Sequence, residues 1–92
     1  MKVTTMIDNQ FVIENGNART FQSYESRIAE YSPGLLMVGR LWDYSRTTSR
    51  WFYEFCRRFT PLHEPSFDLF KKAEAGVITV DGVTIVYRED ME

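Results

Sequence analysis

Between Thr48 and Phe59 large apolar side chains recur at helical spacing, and Pro61 ends the repeat. On a wheel of about 100° per residue, Thr48, Trp51, Phe52, Phe55, Cys56, Phe59 and Leu62 fall within an arc of about 140°. Arg50, Glu54, Arg57 and Arg58 occupy the opposite side. A helix with so wide an apolar face must bury it against a sheet or a second helix. Its limits are also legible. Ser45, Thr47 or Thr48 can offer a side-chain oxygen to the first free amides. Arg57 and Arg58 sit in the last turn, where the helix dipole favours cations. Pro61 lacks the N–H that another turn would require.

The rest of the chain reads mainly as strands. Val3 to Ile7 forms a short strand with vague alternation, and Asp8-Asn9-Gln10 a turn. Phe11 to Ile13 is a strand of aromatic and β-branched residues. Asn15-Gly16 supplies a tight turn into a strand from Ala18 or Arg19 to Tyr24. Ser23 to Glu25 reads as a bend or bulge. Ser26 to Tyr31 is read as a strand, although Tyr24, Ile28 and Tyr31 also have helical spacing, because Ser32-Pro33-Gly34 then turns into the apolar run Leu35 to Val38. After the main helix, Ser66 caps a short second helix from Phe67 to about Ala75, ended by Gly76. Asp81-Gly82 joins two β-branched runs into a hairpin. Ile78, Val80, Val83 and Ile85 share one of its faces, and Val77, Thr79, Thr84 and Val86 the other. Both are apolar enough for a helix to cover one and a partner to touch the other. The tail Glu89 to Glu92 is expected to fray. The fold class is therefore α+β: a small antiparallel sheet packed on one main amphipathic helix, with a short second helix and a C-terminal β-hairpin.

A chain of 92 residues has room for one core, so residues 1–92 are expected to form a single domain. Hydrophobic residues make up 43% and aromatics 15%, enough to fill a small core or to coat a binding surface. A homodimer is compatible with a chain so small and aromatic. The formal charge of −2 argues against a general nucleic-acid binder. It is unevenly spread. Residues 40–58 hold five arginines against Asp43 and Glu54, and residues 59–92 hold three cations against seven acids. Cys56 is the one cysteine, so no intrachain disulfide forms, which fits a reducing cytoplasm. The N-terminal stretch lacks the apolar run of a signal peptide, and no segment has the ~20 apolar residues of a membrane span.

The sequence offers no catalytic, cofactor-binding or metal-binding set. His63 stands alone, and Cys56 falls on the apolar face, where a buried thiol is the expectation. Asp43 is expected to pair with Arg46 or to cap the turn before the helix. Ser23, Ser45, Thr47 and Thr48 lack a histidine to activate them, and caps and turns explain them. Gly34 to Gly39 is a strand between glycines, not a phosphate loop. What remains is a possible interaction surface: Arg46, Arg50, Arg57 and Arg58 on the helix, with Trp42 and Tyr44 before it. These residues could meet an acidic protein surface or phosphate. Solvation of a helix face and anchoring of Trp42 and Tyr44 in the core are the structural alternatives.

Two segments, Phe21-Gln22-Ser23-Tyr24-Glu25-Ser26-Arg27-Ile28-Ala29 and Trp42-Asp43-Tyr44-Ser45-Arg46-Thr47-Thr48-Ser49, resemble paired motifs of small uncharacterised bacteriophage and mobile-element proteins. The patterns are FxSYxSxIA and WDYSxTT, and the likeness spans about residues 11–60. It implies a non-enzymatic protein-binding module acting in a host cytoplasm, with inhibitors of host defence systems such as CRISPR effectors as an anti-CRISPR-like example. It carries no catalytic residues with it. In the second motif Trp42 would pack at the sheet exit, while Asp43 and Ser45 would bind backbone amides. A nucleic-acid-associated or regulatory protein using the basic helix face is the alternative.

Overall fold

The computed structural model describes residues 1–91. Five strands come first: β1 (Lys2–Ile7), β2 (Gln10–Asn15), β3 (Ala18–Ser23), β4 (Ser26–Ser32) and β5 (Leu35–Gly39). Two helices follow, α1 (Arg46–Phe59) and α2 (Phe67–Ala75), and then the hairpin of β6 (Ile78–Val80) and β7 (Val83–Arg88). All the strands join one seven-stranded sheet in the order β1-β2-β3-β4-β5-β7-β6. The α+β expectation holds, but the sheet is larger than a small antiparallel one. The first five strands form an antiparallel meander, and β7 then pairs with β5 in parallel, Leu36 opposite Ile85. That pairing joins segments about fifty residues apart, so no local turn signal announces it.

Turn chemistry sets the strand ends. Gly16 takes φ 62° and opens the β2–β3 turn. The strands pair from Asn15 opposite Ala18, so the turn residues are Gly16 and Asn17, one position later than Asn15-Gly16. Asp81 and Gly82 both have positive φ, as a tight hairpin with a primed turn requires. The bend expected at Ser23 to Glu25 is a two-residue turn, Tyr24-Glu25, with Tyr24 in the left-handed region at φ 55°. The nearby irregularity lies on β4: Phe21 faces Ala29 while Gln22 faces Arg27, so Ile28 is the extra residue.

Both helices pack on one face of the sheet. Val12, Phe21, Ala29, Leu36, Val38, Val83 and Ile85 point into the core from that side. Ile78 and Val80 stand opposite Ile85 and Val83, so the hairpin turns its expected face inward. The other face carries Ile13, Thr20, Glu30, Met37 and Val86 in one cross-strand row, each half-buried.

α1 lies over β3 and runs against it. Ser23 meets Thr48 at the start of the helix, with 3.0 Å between hydroxyls. Phe21 stacks on Phe52 and Phe55, at centroid distances of 6.2 and 5.6 Å. Arg19 donates from Nη1 to the Phe59 carbonyl at 2.8 Å, taking up an oxygen that the last helical turn leaves free. Alternate residues of one strand thus fix the start, middle and end of the helix.

The expected tail is ordered as far as it is described. Met91 is buried, its N–H donates to the Arg88 carbonyl at 3.4 Å, and Asp90 pairs with Arg88 at 3.2 Å. A Cβ on Gly39 would come within 3.1 Å of the Met91 carbonyl oxygen and 3.2 Å of the Ile28 carbonyl oxygen. Gly39 therefore allows the end of the chain to close over the β5 exit. Glu92, the last residue of the expected fray, lies outside the described residues.

Candidate functional site

Three turns and a helix start meet at one end of the sheet. Ser45 is the cap of α1: its Oγ accepts from the Thr48 N–H at 3.1 Å. Thr48 is buried and Thr47 exposed, so of the three candidate caps only Ser45 serves. The Ser45 hydroxyl also donates to Thr48 Oγ1, which faces Ser23 Oγ. One chain of hydroxyls thereby links the helix cap to β3. Ser45→Ala is expected to cost about 1 kcal/mol, within the usual 0.5–2 kcal/mol of a lost cap. Urea unfolding reads this directly, and an unchanged midpoint would show that the cap carries no weight.

The β3–β4 turn is tied to the β1–β2 turn, because the Tyr24 N–H donates to the Asn9 carbonyl at 2.6 Å. Between these turns and the start of α1 lies an open cleft of about 820 Å³. Asn9, Ser23, Tyr24, Tyr44, Ser45 and Thr48 are among its walls. Tyr44 is 76% exposed and Tyr24 54%, so two phenol rings stand at the rim. Glu25 is its one ionisable carboxylate, and no Lys or Arg lines it. The two sequence motifs, separated by a strand and two turns, thus converge on a single polar cleft.

A second, shallower groove runs along α1 and is lined by Arg46, Arg50 and Arg57 together with Asp43, Tyr53, Glu54 and Phe67. The co-facial arginines are present as read from the helical wheel. Glu54 holds two of the basic residues, at 2.8 Å from Arg57 and 3.2 Å from Arg58. Arg50 lies over the Trp51 ring at 5.6 Å. With two carboxylates among three arginines, the groove is only weakly basic.

Trp42 does not belong to the surface. It is fully buried, against Phe52, Phe67 and Phe70 at centroid distances of 6.3, 5.6 and 5.5 Å. Its indole N–H donates to Glu74 Oε2 at 2.8 Å. Of the two readings of Trp42, interaction surface or core anchor, the surface one is corrected and the core one holds, because α2 closes over it, while Tyr44, two residues on, stays outside. Asp43 departs from its expectation too. It neither caps the turn nor pairs with Arg46, and lies 3.7 Å from Lys71 Nζ on α2. Cys56 is buried as expected, and burial pushes its thiol well above the ordinary range, the neighbouring Arg57 opposing this. Such a thiol stays protonated and inert. Among the described residues no group of three or more His, Cys, Asp or Glu is placed to hold a metal ion. No helix among them is long and apolar enough to cross a membrane.

Reading the sequence for charge missed the cleft, because all of its lining residues but Glu25 are uncharged. The signal was the clustering of Ser, Thr and Tyr in both motifs. It missed Gln10 as well, which is fully buried with both side-chain polar atoms unpartnered.

Fold and site together define a two-layer α+β protein that presents a polar cleft, flanked by an arginine-bearing groove, at the start of its main helix. Residues 1–68 match the family described as a family of unknown function, DUF8033, and the chain belongs to that family. The match takes in every residue named at the cleft and the groove, while most of α2 and the β6–β7 hairpin lie beyond it. No curated protein and no solved structure matches the chain.

Proposed function

We propose that this chain is a non-enzymatic protein-binding module that engages its partner around the start of α1. The observation that carries this reading is Tyr44, a large aromatic three-quarters exposed on a short turn beside the helix cap. Its N–H donates to the Leu41 carbonyl at 3.1 Å, so its backbone is held before any partner arrives. Exposed Arg46 and Arg50 follow it, and stacking on Trp51 restricts the Arg50 head group. Tyr and Arg are the side chains that most often dominate binding energy at protein interfaces, and pre-ordered ones lose less entropy on docking. Arg57 and Arg58, tied to Glu54, belong to the rim.

The motif resemblance supplies the setting of the proposal: a phage or mobile-element protein in a host cytoplasm, with a host defence effector such as a CRISPR nuclease as the partner. The decisive measurement is capture of candidate effectors by the whole chain, repeated with Tyr44→Ala and Arg50→Ala. Loss of one strong contact residue is expected to weaken the complex at least about 30-fold, equal to roughly 2 kcal/mol. Capture undiminished in both variants would sink the proposed surface. Gel shifts with duplex DNA and RNA at low salt test the nucleic-acid alternative. A shift abolished by changing Arg46 and Arg50 together would favour that reading.

A further inference from the structure

Tyr24 is held in a backbone conformation that its side chain does not favour. Two tight turns of the sheet have the same form. Gly16-Asn17 lies between the paired residues Asn15 and Ala18, and Tyr24-Glu25 between Ser23 and Ser26. In each turn only the first residue has positive φ, 62° at Gly16 and 55° at Tyr24. The other non-glycine residues with positive φ are Asn9 and Asp81, types that enter this region readily, whereas a bulky Tyr there is strained. The fold draws no contact from the ring in return. It is 54% exposed, and among the described residues no hydrogen bond or ring contact engages it. The turn is held through main-chain atoms of Tyr24 that a glycine would also offer. Its N–H donates to the Asn9 carbonyl, and its carbonyl accepts from Gln22 Nε2 at 2.9 Å. Strain of this kind gathers at ligand sites, where the surroundings enforce it.

Tyr24 and Tyr44 both line the cleft. Beside them stand the Asn9 amide, the Ser26 and Thr47 hydroxyls and the Glu25 carboxylate, none of them hydrogen-bonded or ion-paired through its side chain among the described residues. This set selects its ligand by elimination. An anion would meet Glu25 with no Lys or Arg on the wall to offset it. A cation would find that one carboxylate but would face the positive end of α1, which reaches the cleft at Thr47 and Thr48. A purely apolar ligand would leave the amide, the hydroxyls and the carboxylate unpaired. An added peptide strand needs an open sheet edge, and β3 and β4, the strands that reach the cleft, are paired on both sides. A sugar ring meets every demand. Each of its hydroxyls both donates and accepts, as a wall of mixed donors and acceptors requires. Its faces carry C–H bonds, whose slightly positive hydrogens rest well on the negative face of an aromatic ring. It brings no charge.

We propose that the cleft binds a neutral saccharide, with Tyr24 and Tyr44 stacking on the sugar rings and Asn9, Glu25, Ser26 and Thr47 bonding the hydroxyls. The volume of about 820 Å³ has room for a disaccharide, since small-ligand sites span about 300–1,000 Å³. This site goes beyond the protein contact proposed above. Tyr44 serves both, but Arg46 and Arg50 line the neighbouring groove and not the cleft.

The test is an NMR titration of the whole chain at millimolar ligand with four neutral disaccharides: cellobiose, maltose, lactose and N,N′-diacetylchitobiose. Glycerol, which has hydroxyls but no ring face, and glucose 6-phosphate, which is anionic, are the controls. Saturable shifts are expected at the backbone amides of Asn9, Tyr24, Glu25 and Thr47 with at least one disaccharide and with neither control. Binding should weaken at least about threefold in Tyr24→Gly and in Tyr44→Ala, as for a lost stacking contact. Tyr24→Gly should also melt at or above the temperature of the natural chain, because glycine adopts positive φ without strain. No saturable shift with any of the four, equal affinity in both variants, or equal or tighter binding of a control would each overturn the proposal. A lower melting temperature in Tyr24→Gly would show that the ring serves the fold, and would overturn it as well. Partner capture is a separate readout. Capture lost in Tyr44→Ala with no saccharide bound overturns the saccharide site alone. Saccharide bound, with capture indifferent to Tyr44→Ala and Arg50→Ala, overturns the protein contact alone.

Discussion

Phe52→Ala is expected to remove about 3–5 kcal/mol of folding stability, the usual loss when a buried aromatic becomes alanine. A domain of this size has roughly 5–14 kcal/mol in all, so the variant stands near the edge of folding. Phe52 is fully buried and touches both layers. Its ring lies 4.7 Å from Phe70 on α2, 6.3 Å from Trp42 and 6.2 Å from Phe21 on β3. No other described residue brings rings from α2, the β5 exit and β3 together in this way, and its loss opens a cavity that three separate elements would have to fill. The melting temperature is expected to fall by roughly 12–40 °C, at 4–8 °C per kcal/mol. Phe52→Leu, which keeps apolar volume but no ring, should cost only about 1–2 kcal/mol. Urea titration of both variants gives the comparison. A loss under about 1 kcal/mol for Phe52→Ala would mean that the helices and sheet do not interlock through this ring.

What the sequence disclosed follows from how local each feature is. α1 was readable because its apolar arc, cap and stop lie within sixteen residues of each other, and it differs only by starting at Arg46 on the Ser45 cap. α2 and the Asp81-Gly82 hairpin were readable for the same reason: Ser66, Gly76 and the turn pair mark their own ends. The parallel pairing of β5 with β7 was not, since nothing in Leu35 to Gly39 specifies which strand will lie beside it. Trp42 shows the same limit for a single residue. Its surroundings come from Phe67, Phe70 and Glu74, and a tryptophan in a polar stretch looks the same whether or not a later helix covers it. The cleft was half legible. Both motifs stood out, but their meeting depends on α1 running against β3, so that Ser23 reaches Thr48 rather than the far end of the helix.

Trp42→Phe tests that long-range closure and should carry a pH signature. The substitution keeps a ring among Phe52, Phe67 and Phe70 but removes the N–H that Glu74 accepts at 2.8 Å. A hydrogen bond to a charged group contributes about 1.5–3 kcal/mol, and a loss near 2 kcal/mol at pH 7 is expected. The Glu74 carboxyl is held below its ordinary value of 4.5, first by the Trp42 hydrogen bond and then by Lys71, whose Nζ lies 3.1 Å away, while partial burial works against both. A folded-state value below the unfolded one means that the folded state binds fewer protons as Glu74 titrates. The associated stability is therefore complete above the unfolded value, near pH 4.5, and is lost as the pH falls through the depressed folded value. The difference between the natural chain and Trp42→Phe should accordingly be widest at neutral pH and narrow below about pH 4.5. Glu74→Gln supplies the control, because it keeps an acceptor for the indole but cannot titrate. Its stability should be flatter than that of the natural chain across the same acidic range. Urea unfolding of the three chains between neutral and strongly acidic pH makes the comparison. A Trp42→Phe deficit that stays constant with pH would show that the indole contributes through packing alone, and that α2 is not fastened to the β5 exit by the Trp42–Glu74 bond.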